Sequence, residues 1–211
     1  MLIDVDVVNG VPTGTNLRVL LDRTTDLSVA AWSPLGDKIA FVDLALKTIE
    51  VIPLAGENPV VVYTSPSPLV PHYPAWNRDA SLIAFSERDV ASDAQVIRAV
   101  NVTTGEVTTI LGPELSQPIN PTGAWIEGLD WGRTRDVLTF STGFDPYKVY
   151  TLELPGGSPT FVADGRGPTW SPNDTQIVFM GRQKFSKVNV ATGQVTSLST
   201  GGGWWPDWRR F

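Results

Sequence analysis

Residues 32–41 read WSPLGDKIAF: a tryptophan, a Ser-Pro turn with Gly and Asp, and a short apolar run that ends in phenylalanine. The unit returns three times, as WNRDASLIAF (76–85), WGRTRDVLTF (131–140) and WSPNDTQIVF (170–179). A further tryptophan, Trp208, opens another copy just before Phe211. Self-similarity at a regular period marks a repeat architecture. The chain is therefore predicted to consist of copies of one structural unit.

Each copy is predicted to contain four short β-strands. After each repeat phenylalanine come two more runs rich in Val, Ile, Thr and aromatics, such as KVYTLEL (148–154) and PTFVA (159–163) around a PGG turn. The 19 Gly and 17 Pro residues punctuate the chain between such runs, as is typical of strands joined by turns. The first strand is predicted to end at the repeat Trp, the second to be the apolar run, and the third and fourth to form a hairpin.

The period of the repeat favours a β-propeller. The steps between successive repeat tryptophans are 44, 55, 39 and 38 residues, and a four-stranded propeller blade occupies about 40–45 residues. Residues 3–22 resemble an isolated third-and-fourth-strand hairpin, and Trp208 opens a blade that lacks one. Pairing these two segments predicts a weak or three-stranded closing blade. The sequence thus predicts an all-β fold, a five-bladed β-propeller of four-stranded antiparallel blades, as a single domain over residues 1–211.

The repeat resembles the PD40, or WD40-like, repeat of TolB-type β-propellers. The likeness rests on W-S-P-x-G-D-x-I-A-F, on the downstream T-G-E/Q hairpins, and on a proline two residues before Trp76, Trp170 and Trp208. Residues 77–78 and 132–133 depart from it, with Asn-Arg and Gly-Arg in place of Ser-Pro. The resemblance implies a propeller that serves as a binding scaffold, extracytoplasmic (periplasmic or at the cell surface) in bacteria.

Composition narrows the possible functions. The net charge of −6 argues against nucleic-acid binding, which needs a clustered basic surface. No apolar run is long enough for a spanning helix, and MLIDVDVV lacks the basic n-region of a signal peptide. The chain has no Cys and only one His, His72, so thiolate chemistry and a three-histidine zinc site are excluded. No motif indicates a cofactor or a metal, and we expect a monomer that does not insert into membranes.

The five repeat tryptophans are interpreted as packing residues between blades, and the Asp residues of the turns as geometric requirements. Binding residues are expected in the loops that enter the inner strands, because these loops surround one mouth of the central channel. Tyr and Trp are favoured at binding hot spots. The predicted ligand-binding or partner-binding residues are His72, Tyr73, Trp125, Glu127, Arg166, Trp204 and Trp205.

The segment 111–128 is the longest irregular stretch and contains three prolines. Loops of this length are usually functional or disordered. A lid or partner-docking loop and a tolerated insertion are both compatible with the sequence.

The sequence is compatible with two functions of different classes. The first is a non-catalytic recognition module that binds a protein partner or a glycan at the mouth. The second is a glycosidase or lyase, which would need two carboxylates roughly 5–10 Å apart. The carboxylates whose register places them near the inner strands are Glu127, Asp130 and Asp207.

Overall fold

The structure is a computed structural model and describes residues 2–8, 11–23, 26–113, 125–143, 146–198, 206 and 208. Eighteen strands lie within these ranges. Two of them, β1 (Leu2–Val8) and β2 (Val11–Arg18), form an antiparallel hairpin. The other sixteen form four four-stranded antiparallel sheets, which we number as blades 1 to 4.

The strands follow one another within each blade from the inner to the outer edge. Blade 1 contains β3 (Leu27–Trp32), β4 (Lys38–Asp43), β5 (Thr48–Pro53) and β6 (Val60–Thr64). Blade 2 contains β7 (Leu69–Trp76), β8 (Leu82–Asp89), β9 (Gln95–Asn101) and β10 (Val107–Leu111). Blade 3 contains β11 (Ile126–Trp131), β12 (Val137–Thr142), β13 (Lys148–Glu153) and β14 (Thr160–Asp164). Blade 4 contains β15 (Arg166–Trp170), β16 (Gln176–Met180), β17 (Phe185–Asn189) and β18 (Val195–Ser197).

The repeat predicted the strands of these blades correctly. Each inner strand ends at its repeat tryptophan: Trp32, Trp76, Trp131 and Trp170. The inner strands lie side by side in the order β3, β7, β11 and β15. The all-β propeller of four-stranded antiparallel blades is therefore confirmed.

The predicted number of five blades is wrong. The described residues form four blades, and the β1–β2 hairpin is a separate two-stranded sheet. Pro206 and Trp208, the described residues of the C-terminal part of the predicted closing blade, belong to no strand. The prediction rested on the resemblance of residues 3–22 to the hairpin of the repeat, and a hairpin that pairs with no other strand has the same pattern. The two strands of the hairpin are separated only by residues 9 and 10, since β2 begins at Val11.

A short segment after the hairpin covers one face of blade 1. Leu20 and Leu21 pack against the buried cluster of Ile39, Phe41 and Ile52. In blades 2 to 4 the corresponding apolar face packs against the preceding blade.

A partly buried ion pair fixes the same segment. The guanidinium of Arg23 donates to both carboxylate oxygens of Glu50, at 2.8 and 2.9 Å. Glu50 itself is buried, and such a forked pair is directional as well as strong. The segment is thus attached to blade 1 by apolar packing and by charge.

The repeat tryptophans do not all pack alike. Trp76, Trp131 and Trp170 are 3%, 3% and 1% exposed between neighbouring blades, as a packing role requires, whereas Trp32 is 42% exposed. Trp76 also donates its indole N–H to the carbonyl of Ala31 on blade 1. The uniform packing role predicted for the tryptophans therefore fails at Trp32, because no preceding blade covers it among the described residues.

The Gly-Arg departure at 132–133 has a packing reason. A Cβ at Gly132 would lie 2.7 Å from the carbonyl oxygen of Arg135 and 3.0 Å from a carboxylate oxygen of Asp174 on blade 4. Real Cβ atoms are not found at the shorter distance without a local shift. Blade 3 therefore accommodates the Asp174 side chain at the point where the repeat consensus is lost.

Membrane insertion was not expected from the sequence. Within the described ranges, no helix combines the length and the apolarity needed to cross a membrane.

Candidate functional site

Every inner strand carries an irregularity shortly before its tryptophan. The strand register shifts between Ser28 and Ala30, His72 and Ala75, Glu127 and Asp130, and Arg166 and Thr169. Such bulges redirect side chains and occur often beside functional sites. His72, Glu127 and Arg166 thus occupy the same register position, four residues before the repeat tryptophan, on three neighbouring blades. The structure brings these three predicted residues to one end of the inner strands, which we call the mouth.

Tyr73 has an unusual backbone at the mouth. Its φ of +51° lies in the left-handed region, which glycine adopts readily and a bulky residue rarely does. The same position on the next two blades is Gly128, at φ +64°, and Gly167, at φ +57°. A bulge that accepts glycine elsewhere therefore holds a tyrosine on blade 2. Strain of this kind is often found at binding sites.

Tyr73 and Glu127 meet across the boundary between blades 2 and 3. The Tyr73 hydroxyl donates a long hydrogen bond of 3.5 Å to Glu127 Oε2. The other oxygen, Oε1, is buried and accepts no hydrogen bond from any described residue. An unpaired buried oxygen costs about 1–3 kcal/mol. The mouth therefore contains a carboxylate with one acceptor site to spare.

Burial changes the titration of both groups. Burial raises the pKa of Glu127, although the charge of Arg166 and the hydrogen bond from Tyr73 act in the opposite direction. Burial, followed by the charge of Glu127, raises the pKa of Tyr73 to about 12. Tyr73 is therefore a neutral hydrogen-bond donor at neutral pH.

Arg166 lies beside this pair and over an aromatic ring. Its guanidinium carbon is 5.0 Å from the ring centroid of Tyr147, and its Nη1 is 3.5 Å from the Tyr147 hydroxyl. A guanidinium over an aromatic face is attracted by the ring quadrupole. Arg166 is thus held in place at the mouth.

His72 and Trp125 form a second contact at the mouth. Their rings meet edge to face, with centroids 4.9 Å apart, and the guanidinium of Arg88 lies 4.6 Å from the Trp125 ring centroid. Arg88 is also paired with the carboxylate of Asp93. Burial, and then the charge of Arg88, lowers the pKa of His72 to about 4. The imidazole is therefore neutral at neutral pH.

Asp130 occupies a different environment from Glu127. One of its carboxylate oxygens accepts hydrogen bonds from the hydroxyl of Thr169, at 2.9 Å, and from the backbone amide of Trp170, at 2.8 Å. The other accepts from Arg133, at 3.0 Å. Asp130 thereby links blade 3 to blade 4, beside a central cavity of about 210 Å³ lined by all four inner strands and Pro206.

The other predicted site residues lie outside the described residues. These are Trp204, Trp205 and Asp207, together with most of the long loop at 114–124. In the part of the chain that is described, no three His, Asp or Glu side chains are grouped as metal ligands.

Sequence reasoning missed Tyr147 and Arg88. Tyr147 lies on the connection between β12 and β13, and Arg88 lies near the end of β8. These positions are at the same end of the blades as the loops that enter the inner strands. The sequence-based prediction placed binding residues only in the loops that enter the inner strands. Tyr73 was identified, but not its strain, although aligning the repeats places it opposite Gly128 and Gly167.

No family model and no curated protein matches the sequence. Solved structures nevertheless share the fold. TolB from Acinetobacter baumannii superposes with a TM-score of 0.66 at 18% identity, over 89% of this chain and 46% of that one. A chain of a nidogen/laminin complex superposes with a TM-score of 0.77 at 13% identity, over 97% of this chain and 77% of that one.

An oligogalacturonate lyase in complex with manganese gives a TM-score of 0.58 at 15% identity, over 82% of this chain and 48% of that one. The chain therefore spans about half the length of the Acinetobacter TolB and of the lyase. At these identities the likeness concerns the fold alone. The resemblance to TolB-type proteins is confirmed at that level: this chain is a β-propeller with a fold similar to that of TolB.

Proposed function

We propose that the chain is a non-catalytic recognition module that binds a partner protein at the mouth. The proposed binding surface consists of His72, Tyr73, Trp125, Glu127 and Arg166, on blades 2 to 4. Rigid scaffolds commonly carry their binding residues on such strand ends and loops. The TolB-like fold supports a scaffold role in general, and it also supports an extracytoplasmic location, which we include in the proposal.

The observation that carries this proposal is the unpaired Glu127 Oε1 beside the left-handed Tyr73. The fold does not need a tyrosine here, since Gly128 and Gly167 occupy the same position on blades 3 and 4. The carboxylate also lacks a described donor for a buried oxygen. Because Oε1 is buried in the free chain, the Glu127 side chain would turn toward the partner on binding, and a backbone or side-chain N–H of the partner would then supply that donor.

The aromatic groups at the mouth favour a protein over a glycan. The Arg166 guanidinium lies over the Tyr147 ring, and the Arg88 guanidinium lies over the Trp125 ring. Binding of a sugar would use an open aromatic face as a stacking platform, and these two rings are already engaged. Polar and charged groups with fixed orientation are better suited to the hydrogen bonds of a polypeptide.

The alternative enzyme would use Glu127 with Asp130 or Asp207. The raised pKa of Glu127 fits a general acid. Asp130, however, is engaged by Thr169, Trp170 and Arg133, and a base or nucleophile must be available to the substrate. The likeness to oligogalacturonate lyase concerns the fold alone and adds no catalytic residue. The recognition module therefore has the stronger support.

The test is a selection from a phage-displayed random peptide library on the full chain, with affinities of the enriched peptides measured by calorimetry. Glu127→Gln and Tyr73→Gly are expected to weaken these peptides roughly tenfold, since a charged hydrogen bond contributes about 1.5–3 kcal/mol. The matched control is Glu153→Gln, an exposed carboxylate at the opposite end of blade 3.

The same preparations are applied to a glycan array. Glycan binding without peptide binding would overturn the choice of a protein partner. Peptide binding that is equally sensitive to Glu127→Gln and Glu153→Gln would overturn the mouth as the binding surface.

A further inference from the structure

We propose that a pocket beside the mouth binds a carboxylate group of the partner polypeptide, with Arg182 as its main anchor. The pocket lies between blades 3 and 4 and has a volume of about 470 Å³. Its lining includes Tyr147, Asp164, Arg166, Met180, Arg182 and Gln183. The inference rests on the proposed function, because Arg166 belongs to both the mouth and this pocket.

Arg182 differs from most other arginines of the chain. Six arginines each pair with a carboxylate: Arg23, Arg78, Arg88, Arg98, Arg133 and Arg135. Arg182 is exposed on the turn between β16 and β17 and forms no ion pair with a described residue. A guanidinium presents its N–H donors as a rigid fork that matches a carboxylate. Its position at the rim of a pocket makes this fork available to a ligand.

Arg182 forms no ion pair with the charged groups described around the pocket. Asp164 is the carboxylate among the described lining residues, and it lies directly opposite Lys148 in the β13–β14 pair. Opposite charges at such cross-strand positions attract each other. Glu127 interacts electrostatically with Arg166, the other arginine of the pocket. Arg182 and the neighbouring Lys184 on the same turn are left as a basic site on a chain of net charge −6.

The neutral lining groups suit the same ligand. Tyr147 and Gln183 contribute a hydroxyl and an amide, which can donate hydrogen bonds to a carboxylate. The buried side chain of Met180 contributes the apolar part of the lining. One carboxylate could come from an Asp or Glu side chain or from the C-terminus of the partner, and the chemistry of recognition is the same.

The test measures binding of fluorescein-labelled peptides to the full chain by anisotropy, at low and at physiological ionic strength. The probes are an amidated Gly-Glu repeat, an amidated Gly-Gln repeat as neutral control, and the Gly-Gln repeat with a free C-terminal carboxylate. The Gly-Glu repeat tests recognition of a side-chain carboxylate, and the Gly-Gln repeat with a free C-terminus tests recognition of a C-terminal carboxylate. Inorganic phosphate is added as a competitor.

The key variant is Arg182→Gln, and its control is Lys47→Gln. Lys47 lies at the corresponding turn of blade 1, on the same face of the propeller, so both variants remove one positive charge there. We expect Arg182→Gln to weaken a carboxylate probe about tenfold, as for a lost charged hydrogen bond, and Lys47→Gln to change it less than twofold.

Three results would overturn the carboxylate site: equal binding of the neutral peptide, equal weakening by Lys47→Gln, or binding of phosphate with no peptide binding. Loss of the site would leave the proposed function standing if peptides selected on the mouth still depend on Glu127. If binding of those peptides does not depend on Glu127, while binding of the carboxylate probes still depends on Arg182, the proposed function is overturned and the carboxylate site is retained.

Discussion

Asp174 Oδ2 accepts hydrogen bonds from both the backbone amide of Thr134, at 2.6 Å, and its hydroxyl, at 2.8 Å, although the two residues are 40 positions apart. The amides of Arg133 and Arg135 donate to the same carboxylate. Asp174 is 2% exposed. One side chain on blade 4 thus holds the turn that ends the inner strand of blade 3.

We expect Asp174→Ala to reduce the free energy of unfolding by about 3 kcal/mol, because it leaves several amides without their acceptor in a buried contact. Urea denaturation measures the loss. The control is Asn173→Ala, because among the described residues the Asn173 side chain forms hydrogen bonds only within its own turn, to Ser171 and Thr175. The loss for this control should stay at about 1 kcal/mol. Equal losses in the two variants would show that the contact between blades adds no stability.

The same contact predicts a loss of stability in acid. Burial favours a higher pKa for Asp174, but the amides of Arg133, Thr134 and Arg135 outweigh burial and lower the pKa below its ordinary value of 3.8. Because the folded-state pKa is the lower one, the stabilisation is complete above the unfolded-state pKa. It is lost as the pH falls through the folded-state pKa. Urea midpoints between pH 5 and pH 2 should fall less steeply for Asp174→Asn than for the wild type.

The repeat tryptophans predicted the ends of the inner strands, because a large aromatic at a fixed register is a local signal in the sequence. The partners of Asp174 were not predictable: the sequence indicates a turn residue, and its contact lies on another blade. The prediction of a fifth blade was wrong for the same reason. The pattern of residues 3–22 predicts a hairpin, but it does not say with which sheet that hairpin will pair. Non-local pairing was the missing information in both cases.

Tyr73→Gly should weaken binding of the partner while changing the stability of the fold only slightly. Glycine relieves the left-handed backbone at φ +51°, where strain is about 1–3 kcal/mol, and this gain offsets the lost packing of the half-buried ring. We expect the free energy of unfolding to change by less than about 2 kcal/mol. Tyr150→Gly, at a buried position in strand β13, should reduce the free energy of unfolding clearly more. A loss at Tyr73 as large as that at Tyr150 would assign Tyr73 to the core.

Glu87 should control the ionisation of Tyr63. The Tyr63 hydroxyl donates to Glu87 at 2.6 Å, and burial, followed by this hydrogen bond, raises the pKa of Tyr63 to about 12. Glu87→Gln is expected to lower that pKa, but not to its ordinary value of 10, since burial remains. Ring carbon shifts of labelled tyrosines would follow the titration. Tyr73, also at about 12, contacts Glu127 instead and is an internal control; a parallel change in both would contradict the assignment.

His72 should make stability fall between pH 6.5 and pH 4. Burial, and then the charge of Arg88, lowers its pKa from 6.5 to about 4, so the unfolded chain takes up the proton first as the pH decreases. The stabilisation is therefore complete above pH 6.5 and is lost as the pH falls through the folded-state value. His72→Phe keeps a ring against Trp125 and removes the only histidine, so the difference in unfolding free energy between wild type and variant should change across this window.

Arg88→Gln should raise the His72 pKa only in part, because burial is the larger cause of the lowered pKa. An imidazole that titrates near 6.5 by NMR would show that the folded protein leaves His72 open to water.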